Sequence, residues 1–99
     1  MSNLIVIENE QYRRDVLTLL QADADYAMSN LLLYRALASI GNPISHDRLA
    51  QQLRWLADQG LVILDTPTND IMLAKLTAQG EDVALARVTV PNIARPALS

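Results

Sequence analysis

The stretch that decides the fold, NPISHDRLAQQLRWLADQGLVILDTPTNDIMLAKLT, runs from Asn42 to Thr77. It combines a turn, an amphipathic helix and two strand-like runs. Pro43 cannot continue a preceding helix, because its ring fixes φ and it has no backbone N–H. Ser45 is a good N-cap, and Gly60 is a typical residue at a helix end. The pattern therefore predicts a helix, the third of the chain, over residues 46–59.

The apolar spacing of this third helix indicates which side faces the core. Leu49, Leu53 and Leu56 recur at i, i+4 and i+7, the period of a helix that packs along one side. At about 100° per residue, the opposite side is centred near Gln51. We expect the three leucines to be buried and the polar side to be exposed.

A β-hairpin is predicted directly after the third helix. Its strands are Leu61–Leu64 and Ile71–Leu76, and the connecting residues 65–70 are rich in turn formers. We interpret these connecting residues as the tip of a wing. Thr77 then caps a last helix over about Ala78–Arg87.

Two helices are predicted before the deciding stretch. Helical spacing places the first over about Asn9–Ala24, and Leu4–Ile7 either extend it or form a separate arm. A short strand over Tyr26–Met28 follows. Ser29 caps the second helix, which ends near Gly41.

The second helix is apolar on more than one side. It runs to about Ile40, and its predicted core stripe consists of Leu33, Ala36, Leu37 and Ile40. Leu31 and Leu32 lie largely off that stripe. A helix of this kind is usually buried on both sides.

The order of elements predicts an α+β winged helix-turn-helix. Its parts are a three-helix core, a short strand, a C-terminal β-hairpin that forms the wing, and an extra C-terminal helix. We assign residues 1–87 to this domain. Residues 88–99 contain two prolines and are predicted to form an extended C-terminal arm.

The composition bounds the class of protein. A chain of 99 residues makes one domain, and the absence of Cys excludes disulfides and thiolate metal sites. There is no run of about 20 apolar residues and no signal-peptide pattern, so we expect a cytoplasmic protein without membrane contact. One His, no Gly-rich phosphate loop and no carboxylate pair in an apolar setting predict no enzyme activity, no cofactor and no metal site.

Apolar residues make up 51% of the chain, which is high for a domain of this size. We expect part of this apolar surface to contact a second subunit or a partner. The sequence therefore predicts a homodimer, with a contact surface on the first helix, the second helix and the C-terminal arm.

The polar side of the third helix is the candidate DNA-reading surface, because the second helix of a helix-turn-helix lies in the major groove. Gln pairs with adenine, Arg pairs with guanine or phosphate, and a helix N-terminus favours phosphate. The predicted DNA-binding residues are Ser45, His46, Arg48, Gln51, Gln52, Arg54 and Lys75. Among them, Arg48, Gln51 and Gln52 are expected to read bases and the others to lie near phosphates.

The charge pattern counts against strong DNA binding. The net charge is −3 and the pI about 4.8. Residues 65–70 hold two Asp and no base, and Asp47 would repel a phosphate at the helix start. Arg13, Arg14 and Arg35 would add a basic patch if the first two helices present them on the same side. A dimer would double all of these contacts.

Trp55 falls on the predicted exposed side of the third helix although it is large and apolar. Two interpretations remain open. In the first, Trp55 binds a protein partner, since aromatic residues dominate binding hot spots. In the second and more ordinary one, it folds under the wing or the C-terminal tail.

The segments LRWLADQGLV at 53–62 and LTAQG at 76–80 resemble MarR- and ArsR-type winged-helix regulators. The whole chain is similar to a family of small proteins of Mu-like phages and prophages, and its most distinctive piece is the tail from Gly80 to Pro96. The resemblance implies a winged-helix fold and, by analogy of fold, DNA binding. The metal-sensing Cys ligands of the arsenical repressors are missing, so metal sensing is not implied.

Two functions follow from these observations. The first is a phage-type transcriptional regulator that binds a two-fold DNA site as a homodimer, through the third helix. The alternative is a winged-helix module that binds a phage or host protein without DNA. The acidic pI, the base-free wing and Trp55 favour the alternative.

Overall fold

The computed structural model describes residues 3–96 of the chain. In chain order the elements are α1 (Leu4–Ala22), β1 (Ala27–Ser29), α2 (Asn30–Ser39), α3 (His46–Asp58), β2 (Val62–Asp65), β3 (Leu73–Leu76) and α4 (Ala78–Ala84). This is the predicted order of helix, strand, helix, helix, hairpin and helix. The described part of the chain is thus α+β, with four helices and one three-stranded antiparallel sheet.

The sheet joins the two halves of the chain. Its strand order is β1–β3–β2, so the last strand in the sequence lies in the middle. Ala74 of β3 pairs with Met28 of β1, and both side chains are buried. Because side chains alternate along a strand, Leu73 and Lys75 lie on the opposite, exposed face.

The last three helices begin at the predicted hydroxyl caps. The side chains of Ser29, Ser45 and Thr77 each accept a hydrogen bond from the backbone N–H three residues further on. Such a cap satisfies an N–H group that the helix itself leaves unpaired. Gly41 and Gly60 follow α2 and α3 with φ of 83° and 76°, the left-handed conformation that commonly ends a helix.

A single apolar core lies between the helices and the inner face of the sheet. Its completely buried side chains, at 0% exposure, include Val16, Leu17, Leu20, Leu33, Leu37, Leu49, Leu53 and Leu56. The three leucines of α3 therefore face the core as predicted. They fix the rotation of α3 about its own axis.

The first helix is longer at its start than residues 9–24. Leu4–Ile7 extend α1 and do not form a separate arm. The helix ends at Ala22, where Asp23 turns to extended backbone and its carboxylate accepts from the N–H of Asp25. The four added residues remain exposed to solvent.

The prediction for the second helix is wrong on its outer side. Ile40 is more than half exposed, because it follows the last helical residue instead of completing the core stripe. Leu31 and Leu32 are about half exposed. Within one chain, α2 is therefore buried along one side and not two.

The last helix ends earlier than predicted. It stops at Ala84 instead of Arg87, and Ala86 takes a φ of 61°. Arg14 of α1 donates hydrogen bonds to the carbonyl oxygens of Val83, at 2.7 Å, and of Ala84. Arg14 is buried, so the condition under which it would add to an exposed basic patch is not met.

Gly80 lets α4 approach the start of β2 closely. A Cβ on Gly80 would overlap the carbonyl oxygen of Leu61 and lie 2.7 Å from Cδ1 of Leu76. The backbone carbonyl cannot move without breaking its hydrogen bond from Thr77. This position therefore has no room for a side chain.

The predicted C-terminal arm packs on α1 over the part that the structure describes. Ile93 is 7% exposed, and the N–H of Ala94 donates to the carbonyl oxygen of Glu10 at 3.1 Å. Arg14 Nε donates to the carbonyl oxygen of Ala94 at 2.8 Å. Up to residue 96 the arm thus belongs to the folded domain, and the last three residues of the predicted arm lie outside the described range.

Candidate functional site

The candidate site is built on α3, which its cap and its leucines hold in place. Ser45 Oγ accepts from the N–H of Arg48 at 3.1 Å and fixes the first turn. Leu49, Leu53 and Leu56 occupy the core side. Seven of the remaining side chains of α3 form two ridges with different surroundings.

We call these the inner ridge and the outer ridge. The inner ridge, at i, i+4 and i+7, packs toward α1 and the C-terminal tail and consists of Arg48, Gln52 and Trp55. The outer ridge is exposed at every position and consists of Asp47, Gln51, Arg54 and Asp58. Both spacings follow one side of a helix. From the sequence alone, both ridges were assigned to a single polar side of the helix.

Arg48 is held by α1. Its Nη1 donates to Glu8 Oε1 at 3.1 Å, and its Nε and Nη2 donate to Asn9 Oδ1 at 3.0 and 2.9 Å. The guanidinium carbon lies 4.9 Å from the ring centroid of Tyr12, within cation–π range. Arg48 was predicted to read bases, but in this structure its guanidinium is bound by side chains of α1.

Gln52 does not face outward, so this part of the prediction is wrong. It is 3% exposed. Its Nε2 donates to Asn9 Oδ1 at 3.1 Å, and its Oε1 accepts from Arg13 Nε at 2.8 Å. Both ends of the amide are thus satisfied in the interior, where Gln52 ties α3 to α1.

Trp55 is half-buried, and its packing favours the interpretation in which it folds under the tail. The Arg13 guanidinium carbon lies 3.9 Å from the Trp55 ring centroid, and Arg13 Nη1 donates to the carbonyl oxygen of Asn92 at 2.9 Å. Trp55 lines a cleft of about 190 Å³ together with Val90 and Pro91 of the tail. Arg13 is therefore used in internal packing, so it does not meet the condition for adding to an exposed basic patch.

Burial affects both arginines of α1. It lowers the pKa of Arg13 and of Arg14 below the ordinary value, and the carboxylates of Glu10 and Asp15, respectively, partly offset this effect. Both side chains stay charged near neutral pH, because the ordinary pKa of Arg is so high. Their N–H groups are satisfied by carbonyl oxygens and by Gln52.

The sequence interpretation missed the residues of α1 that hold the inner ridge. Glu8, Asn9 and Tyr12 lie at i, i+1 and i+4 and share one side of α1. Tyr12 also donates its hydroxyl proton to the carbonyl oxygen of Pro43 at 2.7 Å. In the sequence, the available signal for this role was the presence of polar residues near Tyr12 on the first predicted helix. That α3 is their partner is shown only by the packing of the two helices.

The outer ridge carries the side chains that remain available to a ligand. Gln51 and Arg54 are exposed, and their side chains make no hydrogen bond to other described residues. Asp47 and Asp58 stand at the two ends of the ridge. The ridge therefore offers one cation and one amide between two carboxylates.

At the start of α3, a stacking contact holds the imidazole ring of His46 in place. His46 stacks on Tyr34 of α2, with ring centroids 3.8 Å apart and planes 12° apart. His46 and Ser45 are both exposed beside the first N–H groups of α3. They lie where the sequence placed them, at the helix end that favours an anion.

The cations on the described surface are few and scattered. Arg87 pairs with Asp82 at 3.2 Å. Lys75 lies on the outer face of the sheet, opposite Ile63, and the loop before β3 carries no base. Within residues 3–96, the exposed cations that form no ion pair are Arg35, Arg54, Lys75 and Arg95.

Residues 3–96 contain neither a metal-ligand cluster nor a membrane-spanning helix. No three His, Asp or Glu side chains between residues 3 and 96 lie close enough together to hold a metal ion. None of the helices in that range combines the length and the apolar character needed to cross a bilayer.

By sequence, the chain is similar to a phage protein. It is 31% identical over 96 residues to the uncharacterized protein gp26 of Escherichia phage Mu. The match covers 97% of this chain and 96% of gp26. No protein-family model matches the chain.

By structure, the chain is similar to RosR of H. salinarum. The RosR structure grown from NaBr matches with a TM-score of 0.65 at 25% identity, over 77% of this chain and 67% of RosR. The complex structure of RosR-S4 matches with a TM-score of 0.64, over 77% of this chain and 64% of the other. The chain thus spans about two thirds of the length of the RosR chains.

Proposed function

Because this chain belongs to the family of the phage Mu protein gp26, we propose that it is a phage-type winged-helix regulator that binds DNA through α3 as a homodimer. In this assignment α2 and α3 are the helix-turn-helix, and the β2–β3 hairpin is the wing. The likeness to RosR, at 25% identity, supports the winged-helix fold and with it a DNA-binding regulatory role.

The outer ridge of α3 carries the proposal. Three buried leucines seat α3 so that Gln51 and Arg54 project from the domain on the helix that enters the major groove in this class of fold. An exposed Gln can bond adenine with two hydrogen bonds, and an exposed Arg can do so with guanine. Both side chains are available without breaking an internal contact.

The proposed assignment of roles differs from the sequence prediction. Gln51 and Arg54 read bases, while Ser45 and His46 bring the start of α3 to a phosphate. Gln52 has no part in reading, because it is buried. Arg48 supports α3 from the inner ridge as long as Glu8 and Asn9 hold it.

The test is a fluorescence-anisotropy titration with DNA fragments from the region upstream of the chain's own gene, at about 50 mM salt. Losing a bidentate base contact costs about 1–3 kcal/mol, so Arg54→Ala should weaken binding by roughly 5- to 150-fold. Arg95→Ala is the matched control, since it removes an equal exposed charge from the tail. Equal effects of the two substitutions, or no binding by the unaltered chain, would overturn the proposal.

A second candidate function is a module that binds a basic protein partner through the same surface. Asp47 and Asp58 on the outer ridge, with Asp65 and Asp70 around the wing, favour it. The titration separates the two functions. If α3 binds DNA, Asp47→Asn raises the affinity by removing repulsion of a phosphate. If it binds a basic protein instead, there is no DNA affinity to raise.

A further inference from the structure

A groove runs between the end of α3, the side of α4 and the C-terminal tail. It consists of two clefts, of about 270 Å³ and about 190 Å³. Gln59, Leu61 and Val90 line both clefts, so the two are neighbours and we treat them as one tail groove. Together they reach the lower part of the range of about 300–1,000 Å³ that is usual for small-molecule sites.

The tail groove has an apolar floor and a polar rim. Leu61 and Val83, which form the floor, are 5% and 2% exposed. Trp55 and Pro91 line the groove at one end, and the side of α4 with Val88 lines it at the other. An apolar lining with a few polar groups is the usual make-up of a site that binds a small organic molecule.

The two ends of the tail groove differ in charge. Asp82 is the single charged side chain among the described residues that line it. Asp82 Oδ1 accepts from Arg87 Nη1 at 3.2 Å, but an ion pair whose members are 45% and 60% exposed contributes little. Asp82 Oδ2 bonds no residue between 3 and 96. At the opposite end, the guanidinium of Arg13 lies against the Trp55 ring.

Two side-chain amides add hydrogen-bonding groups at the rim. A Cβ on Gly60 would lie 3.2 Å from Gln79 Oε1, so the Gln79 amide lies over the turn that ends α3. The side chains of Gln59 and Gln79 make no hydrogen bond to another described residue. Their amide oxygens can therefore accept hydrogen bonds from a ligand.

We propose that the tail groove binds a small organic cation with an aromatic or apolar body and a primary ammonium group. The body covers the floor at Leu61 and Val83, and the ammonium group lies at Asp82. Arg13 repels a cation from the Trp55 end, so both charges of the protein favour the same orientation.

An organic anion fits the tail groove less well. Asp82 repels it, and Arg13 offers no matching site, because Arg13 does not line the groove. The N–H groups of Arg13 also donate within the chain, to Gln52 and to the carbonyl oxygen of Asn92. The charge of the ligand is thus the property that a binding experiment should vary.

Trp55 provides the readout, because it is the only tryptophan of the chain and lines the tail groove. Its fluorescence is titrated with 2-phenylethylamine, and with 3-phenylpropionate as a probe of similar shape and opposite charge, at about 50 mM salt and without DNA. The amine should cause a saturable change with a Kd in roughly the millimolar range, as its small size allows. The carboxylate should bind at least about 5-fold more weakly.

Asp82→Asn removes the charge of the groove and keeps its shape. It should weaken amine binding by about 2- to 5-fold, the effect of a charge pair that is open to solvent. Glu81→Gln is the matched control, because it removes an equal charge from the neighbouring position of α4, where Glu81 lines a separate depression with Tyr26. It should leave the affinity for the amine unchanged.

Three results would overturn the proposal: no saturable change with the amine, equal affinity for the two probes, or equal weakening by the two substitutions. Circular dichroism of both variants checks that they are folded. The experiment contains no DNA, so its outcome is independent of the proposed function. A chain that binds the amine but fails to bind DNA would overturn the proposed function and leave this inference standing.

Discussion

Asn9 is the residue on which α1 and α3 converge. Its Oδ1 accepts from Nε and Nη2 of Arg48 and from Nε2 of Gln52. Gln52 in turn accepts from Arg13, which lies on Trp55. The Asn9 side chain thus holds Arg48 and Gln52 of the inner ridge directly, and it is linked to Trp55 through Gln52 and Arg13. The outer ridge consists of side chains that take no part in these contacts.

We expect Asn9→Ala to lower the free energy of unfolding by about 1–3 kcal/mol, because the buried amide of Gln52 loses its acceptor. Urea denaturation measures the change. Gln11→Ala is the control on the same helix, since Gln11 is exposed and bonds only Asp15 one turn away. Its effect should stay within about 0.5 kcal/mol. Equal losses in both variants would show that the Asn9 contacts do not stabilise the fold.

Among the elements, the C-terminal tail behaves as part of the domain. It closes over Trp55 on one side and lies against α1 on the other, where Ile93 is buried. Arg13 and Arg14 both donate to tail carbonyl oxygens. The tail therefore holds the inner ridge in place from outside, although it has no regular secondary structure.

Removing the buried tail side chain tests this role. Ile93→Ala should cost about 2–3 kcal/mol, at the lower end for a large-to-small core substitution because the site lies near the surface. In a domain of this size the melting temperature should then fall by roughly 8–24 °C. Val88→Ala, in the same tail but about half exposed, should shift it by only a few degrees. If the two variants melted alike, the tail would be no part of the cooperative fold.

The whole molecule is poor in available positive charge. Its net charge is −3, and several of its cations are committed to internal contacts. Arg54 and Lys75 are the exposed cations among the predicted DNA contacts. Binding to DNA would then depend on hydrogen bonds at base edges more than on phosphate neutralisation.

This charge balance predicts a weak salt dependence. In a dimer, Lys75 from both copies neutralises two phosphates and gives a slope of log K against log salt of about −2, whereas a slope of about −4 would mean that Arg54 contacts phosphate instead of a base. Titrations between about 50 and 200 mM salt measure the slope. A slope steeper than about −6 would mean that Arg48 or other committed cations are released to the backbone on binding.

The secondary structure could be read from the sequence because its signals are local. Ser29, Ser45 and Thr77 cap the helices that they were expected to cap, and the leucines of α3 are buried as their spacing requires. The burial of Gln52 could not be read in this way, because it depends on which element packs alongside α3. Ile40 is exposed because α2 ends one residue before it.

By itself, the sequence determined the order of the elements, their caps and the core side of α3, since these follow from backbone hydrogen bonding and from the helical period. Only the tertiary structure decided that Arg48 and Gln52 turn toward α1 while Gln51 and Arg54 turn away. The physical reason is that a polar side chain has no preferred side of a helix until a neighbour supplies its hydrogen-bond partner. Here Asn9, 39 residues before Arg48, supplies it.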